Sequence, residues 1–197
     1  IAYDANSTGK VTVEGVGSMW TNTNNLFVGY NGAGSLHLKK SGLVNVKGSY
    51  YQYDNSWLEL DIGNLGSSWV TVGGDVYLDG ILQLTLNGVL DADYYVLIDN
   101  LGDYDVFGHF ENILFGDQWV AKLTQLDGMN GGGSFVIDGM DYYISYAGDS
   151  ATGSLFGGND VILSYISNGG DGPPVPEPAS LAILGLGVAT LIVRKQR

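Results

Sequence analysis

Leu26-Phe27-Val28, Leu36-His37-Leu38 and Val44-Asn45-Val46, set apart by Gly29-Tyr30-Asn31-Gly32-Ala33-Gly34 and Ser41-Gly42, decide how this chain folds. Each triplet places apolar residues two positions apart, the period of a strand with one buried face. Val11-Thr12-Val13 does the same upstream, across Gly15-Val16-Gly17-Ser18. Glycine-rich separators suit tight turns, because glycine adopts backbone angles closed to other residues. Strand starts fall roughly 8 to 15 residues apart, with no helical pattern between them. The reading is all-β. Spacing alone does not separate a sandwich from a solenoid.

Composition agrees with many short strands. Glycine contributes 31 of 197 residues, about twice the usual ~7%, and all four prolines lie between Pro173 and Pro178. The chain carries 21 acidic and 8 basic residues, a net charge of −13. Before Pro173 the basic residues are Lys10, Lys39, Lys40, Lys47 and Lys122, without an arginine, against 20 acids. Such a surface repels phosphate backbones, which argues against nucleic-acid partners. There is no cysteine, so disulfides, thiolate nucleophiles and cysteine metal sites are excluded.

The strand pattern continues through Trp57-Leu58-Glu59-Leu60-Asp61-Ile62 and Trp69-Val70-Thr71-Val72 to Val76-Tyr77-Leu78 and Ile81-Leu82-Gln83-Leu84. It returns at Tyr94-Tyr95-Val96-Leu97-Ile98, Tyr142-Tyr143-Ile144-Ser145-Tyr146 and Val161-Ile162-Leu163-Ser164-Tyr165. Gly66-Ser67-Ser68-Trp69 echoes Gly17-Ser18-Met19-Trp20 from forty-nine residues earlier, which suggests a degenerate second copy. Between the copies lie Tyr50, Tyr51, Tyr53 and Trp57. Such rings stack on sugars or pack between strands, and the sequence leaves both readings open.

Chemistry is sparse. His37 alternates with Leu36 and Leu38 and points outward, and His109 lies far from it in sequence. Neither accompanies a Gly-x-Ser-x-Gly elbow, and two histidines without cysteine make a poor zinc set. Carboxylates are plentiful but nothing selects a pair for glycosidase chemistry. The chain is read as non-catalytic, with no catalytic residue assigned. Calcium is the stronger metal candidate, since Asp103, Asp105, Asn159 and Asp160 place oxygen atoms in turns. Asx residues also serve turns on their own account.

The last twenty-five residues differ from the rest. Pro173-Pro174-Val175-Pro176-Glu177-Pro178 cannot join a helix or central strand and makes an extended spacer. The uncharged run Ala179 to Val193 follows, then Arg194-Lys195-Gln196-Arg197. As a helix that run would span about 22 Å at ~1.5 Å per residue, a little short of a bilayer core. The cations would stay cytoplasmic and everything before Pro173 would lie across the membrane. A buried helix ending a soluble domain is the alternative, though it would normally show a polar face.

Val175-Pro176-Glu177-Pro178, the apolar run and the basic cluster Arg194, Lys195, Arg197 resemble the PEP-CTERM sorting signal of Gram-negative bacteria. That resemblance implies recognition by an exosortase, an inner-membrane intermediate, and delivery to the cell surface or exopolysaccharide matrix. It also implies that a signal peptide preceding Ile1 has been removed, or that the chain is a fragment. Gly17-Ser18-Met19-Trp20-Thr21-Asn22, Leu26-Phe27-Val28-Gly29, Gly32-Ala33-Gly34-Ser35-Leu36-His37-Leu38 and Gly42-Leu43-Val44-Asn45-Val46 resemble an autotransporter/PEP-CTERM-associated repeat. This second resemblance implies a short right-handed parallel β-helix, with inward aliphatic ladders stacked at ~4.8 Å.

The expected organisation is a β-solenoid over residues 1–80 and closing coils with a β-rich cap over 81–166. A Gly/Pro linker follows over 167–178, then a transmembrane helix with its basic tail over 179–197. The expected role is structural or adhesive, with polysaccharide binding through Tyr50, Tyr51, Tyr53 and Trp57 as the alternative and polysaccharide degradation third.

Overall fold

The computed structural model describes residues 1–120, 123–125 and 131–166. Alternating strand and glycine turn wind the chain into four three-stranded turns. The first is β1 (Thr8–Glu14), β2 (Met19–Asn22) and β3 (Leu26–Val28); the second β4 (Ala33–Lys39), β5 (Leu43–Val46) and β6 (Tyr50–Gln52). The third is β7 (Ser56–Ile62), β8 (Trp69–Val72) and β9 (Val76–Leu78); the fourth β10 (Ile81–Leu86), β11 (Tyr94–Asn100) and β12 (Phe107–Gly108).

Strands at equivalent places pair in parallel: β1-β4-β7-β10 as sheet A, β2-β5-β8-β11 as sheet B, β3-β6-β9-β12 as sheet C. This is a β-solenoid. No helix occurs among the described residues, so none there is long and apolar enough to cross a membrane. The expected linker, hydrophobic helix and basic tail lie outside the described residues.

Period-two alternation becomes ladders because each turn stacks in register on the last. In sheet A, Val11, Leu36, Leu58, Leu82 and Ile113 form one inward column; Val13, Leu38, Leu60, Leu84 and Phe115 form the next. Sheet B contributes Trp20, Val44, Val70 and Ile98. Leu36, Leu58, Leu60, Leu82, Val70 and Ile98 are wholly buried. Full burial of such side chains is worth roughly 1.5–3 kcal/mol each before entropy is counted, and these columns carry the fold. Gly29 shows why the corners need glycine. Its φ is +77°, and a Cβ there would lie 2.7 Å from the Ser56 Cβ in the next turn.

β10 to β12 add a complete parallel turn, and β13 (Asn112–Phe115) begins a fifth rung on sheet A. There the chain reverses into β14 (Gln118–Trp119), antiparallel to β13. β15 (Thr124–Gln125), β16 (Gly133–Ile137), β17 (Met140–Gly148) and β18 (Asp160–Ile166) form an antiparallel sheet, and β18 docks antiparallel onto β11. The cap thereby pairs the edge that sheet B would otherwise present for aggregation. Phe115, Phe135 and Tyr142 pack together beneath it, with ring centroids 4.8 and 5.3 Å apart. Tyr146 is wholly buried; burial pushes its phenol pKa up, and its oxygen accepts from the Phe110 amide at 3.2 Å.

Candidate functional site

Outward positions of the solenoid divide into three faces. Sheet C carries a ring ladder: Phe27 on Tyr51 at 4.8 Å, Tyr51 on Tyr77 at 4.6 Å, Tyr77 on Phe107 at 4.8 Å, with interplanar angles of 12°, 4° and 13°. Tyr3 stacks on Tyr30 at 4.7 Å, and Tyr53 meets Tyr30 edge-on at 5.2 Å. The Tyr51 and Tyr77 faces are each covered on both sides by neighbouring rings.

The four aromatic residues expected to act together are therefore separated. Tyr50 points inward, wholly buried, its hydroxyl donating to Gln52 Oε1 at 2.8 Å; no surface ligand reaches it. Tyr51 belongs to the ladder and Tyr53 to its flank. Trp57 lies on sheet A, where it meets Trp119 edge-on at 6.3 Å.

Sheet A exposes charge. His37 Nδ1 and Glu59 face each other in contact across β4 and β7, while Lys39 Nζ pairs with the other Glu59 oxygen at 2.8 Å. Burial holds the His37 pKa below its ordinary value against the pull of Glu59. Burial works to raise Glu59, but the Lys39 hydrogen bond and the His37 and Lys39 charges bring it below the usual carboxylate value. His109 is exposed beside Tyr146, in a hollow it shares with Asp54, Asp79 and Glu111.

Sheet B carries an outward column of Met19, Leu43 and Trp69 in register. Among the described residues no ring stacks on Trp69. The reason lies one rung away. Ile98 pairs with Val70, so the preceding residue of β11 is the one placed to cover Trp69. There the β11–β18 pairing is irregular between Val96 and Ile98, and Leu97 is wholly buried. A bulge moves a side chain from one face of a strand to the other; here Leu97 and Ile98 are both buried, and Val96 is the neighbouring residue that borders a groove with Trp69.

The groove measures about 560 Å³, and its walls include Trp69, Asp91, Tyr94, Tyr95, Asp99 and Ser150. It lies at the seam of solenoid and cap. The Tyr95 hydroxyl accepts from the Asp91 amide at 2.8 Å and donates to Asp91 Oδ1 at 3.2 Å. Tyr94 donates to the Ser150 carbonyl at 3.3 Å, and Ser150 Oγ donates to Asp99 Oδ1 at 3.2 Å. Burial raises the Asp99 pKa, the Asp160 charge adds to it, and the Ser150 hydrogen bond opposes it.

Of the residues read as calcium ligands, Asn159 and Asp160 are engaged at the same seam. Asp160 accepts from the Asn100 and Ser150 amides, both at 2.7 Å. Asn159 Nδ2 donates to the Gly102 and Tyr104 carbonyls. Asp103 and Asp105 are exposed on the loop that these bonds hold. Among the described residues no three histidines or carboxylates converge to hold a metal ion. Trp69, absent from the sequence-derived candidates, was legible in one respect: Val70 and Val72 alternate with it, which turns it outward.

Fold and faces define an all-β solenoid protein with a capped end and one groove bearing an unstacked indole. Residues 174–197 match the PEP-CTERM protein-sorting motif. The motif marks exosortase-dependent sorting of an exported protein, with membrane-associated passage to the cell surface. No curated protein and no solved structure matches the chain.

Proposed function

We propose that the protein is a non-catalytic structural and adhesive component of the cell surface or of an exopolysaccharide (biofilm) matrix. The observation that carries this reading is the union of a sorting motif at residues 174–197 with a stacked β-solenoid. A solenoid supplies an extended, rigid surface because each turn contacts only its neighbours. We read its turns as autotransporter/PEP-CTERM-associated repeats, and residues 179–197 as the segment that holds the exosortase substrate in the inner membrane. His37, the histidine with an acidic partner, contacts Glu59, which pairs with Lys39, and this supports a role in stability.

An epitope-tagged chain in an exosortase-bearing host tests this. The intact tail should give a shortened product in surface or matrix fractions, and Pro176→Ala/Glu177→Ala/Pro178→Ala should leave full-length protein in the inner membrane. Identical size and fractionation for both would remove the sorting route on which the role depends. A second reading, polysaccharide binding, is favoured by the unstacked Trp69 in its groove.

A further inference from the structure

We propose that the seam groove binds an uncharged glycan chain, with a sugar ring stacked on Trp69 and its hydroxyls held by Asp91, Asp99 and Ser150. The inference deepens the second reading above and takes its ligand class from groove chemistry. A sugar ring has an apolar C–H face and a hydroxyl rim, so it needs a free aromatic face beside hydrogen-bond acceptors. Stacking on Phe27, Phe107 and each other takes up both faces of Tyr51 and Tyr77. Trp69 is 36% exposed and borders the groove beside Val96, with no aromatic ring stacked on it among the described residues.

Three further observations converge on the same ligand. The groove, about 560 Å³, falls in the size range of small-ligand sites, roughly 300–1,000 Å³, in which few polar groups fix orientation. Asp91 and Asp99 stand beside the indole, and carboxylates accept hydrogen bonds from paired hydroxyls. The charge of the site excludes the acidic alternatives. Among the described residues no lysine borders the groove, and acids outnumber lysines fourfold before Pro173, so uronate, sulfate or phosphate polymers are repelled.

Direction follows from register. Met19, Leu43 and Trp69 form one outward column across three successive turns, an apolar strip roughly 10 Å long at ~4.8 Å per rung. Met19 is exposed. A chain leaving the groove along this strip lies parallel to the solenoid axis, crossing rungs.

Affinity electrophoresis of the detergent-solubilised full chain tests the inference. Native gels would carry dextran, soluble starch, hydroxyethylcellulose or galactomannan, with alginate and polygalacturonate as polyanions. At least one neutral polymer should retard the protein where the polyanions do not. Trp69→Ala should weaken that retardation about tenfold or more, as loss of a central aromatic anchor does. Trp69→Tyr, which keeps a ring, should recover most of it. Tyr77→Ala, in the stacked ladder, should change it less than about threefold, far below an anchor's loss.

Urea midpoints for each variant separate lost binding from lost fold. Mobility unchanged in every neutral gel, retention by polyanions, or equal retention with and without Trp69 would each overturn the proposal. Failure here with tail-dependent surface delivery intact leaves the sorting role standing. Retention without that delivery leaves the groove and removes the address.

Discussion

Two aromatic surfaces on one solenoid behave oppositely. On sheet C the turns stack in regular register, so Phe27, Tyr51, Tyr77 and Phe107 fall one above another and cover each other's faces. On sheet B the same stacking brings Leu43 beside Trp69, but the bulge in β11 buries Leu97, and the indole borders a groove with no ring stacked on it among the described residues. Regularity turns aromatic residues into packing. An irregularity in register turns one into a surface that can receive something else. Partial exposure alone does not distinguish the two, since Tyr51, Tyr77 and Trp69 are all partly exposed or more.

The comparison breaks most readily at the seam. Asp160→Ala removes the acceptor that joins the Asn100 amide of β11 to the Ser150 amide of the cap loop. Hydrogen bonds to charged groups contribute about 1.5–3 kcal/mol each, so we expect a loss of roughly 3 kcal/mol in urea unfolding. Faster hydrogen exchange at Asn100 and Ser150 should accompany it. Unchanged exchange would show that the cap is held by other contacts.

Tyr77→Ala comes next. It deletes two stacked pairs, each worth about 0.5–1.5 kcal/mol beyond area burial, so stability should fall by roughly 1–3 kcal/mol. A change within experimental error would mean that the ladder contributes nothing and its rings are free for other uses.

Sheet A offers a third kind of outward face, held by charge. His37 has its pKa lowered from 6.5, chiefly by burial, so the native state binds that proton less readily than the unfolded chain. Its contribution is complete above pH 6.5 and is lost as the pH falls below it. Glu59, lowered from 4.5, contributes above pH 4.5 and loses that contribution below. Comparing urea midpoints of the native sequence and His37→Gln from pH 7.5 to 5.5 isolates the histidine. The native sequence should lose ground to the variant on acidification, and a gain would reverse the assignment.

Trp69→Ala should be the mildest for stability, within about 0.5 kcal/mol, because the residue is outward and unstacked. A loss as large as that of Tyr77→Ala would erase the distinction between the two surfaces.

Local pattern carried much of this architecture. Alternation at Leu36/Leu38, Val44/Val46 and Leu58/Leu60 names inward columns correctly because a strand's period is independent of what it pairs with. Register was harder. The echo between Trp20 and Trp69 suggests equivalent residues, yet Trp69 aligns with Met19, and Trp20 with Val70. A slip of one position reverses faces, so one indole packs against the core and the other looks outward. The cluster from Tyr50 to Trp57 divides for a similar reason: alternation sends Tyr50 inward, and the turn at Asp54-Asn55 carries Trp57 onto another sheet. The β11 bulge and the docking of β18 on β11 depend on partners some sixty residues apart, which no local window contains.

The strand leading toward the sorting tail has a mechanical consequence. β18 is not an edge: Tyr94 to Ile98 flank one side and Asp141 to Ser145 the other. Were the protein held at the cell surface by its C-terminal end, as proposed above, flow and drag would act through that strand. Antiparallel hydrogen bonds lie perpendicular to the strand, so tension along it loads both rows in shear at once. An edge strand would peel one bond at a time. β18, paired on both sides, is arranged to share such a pull.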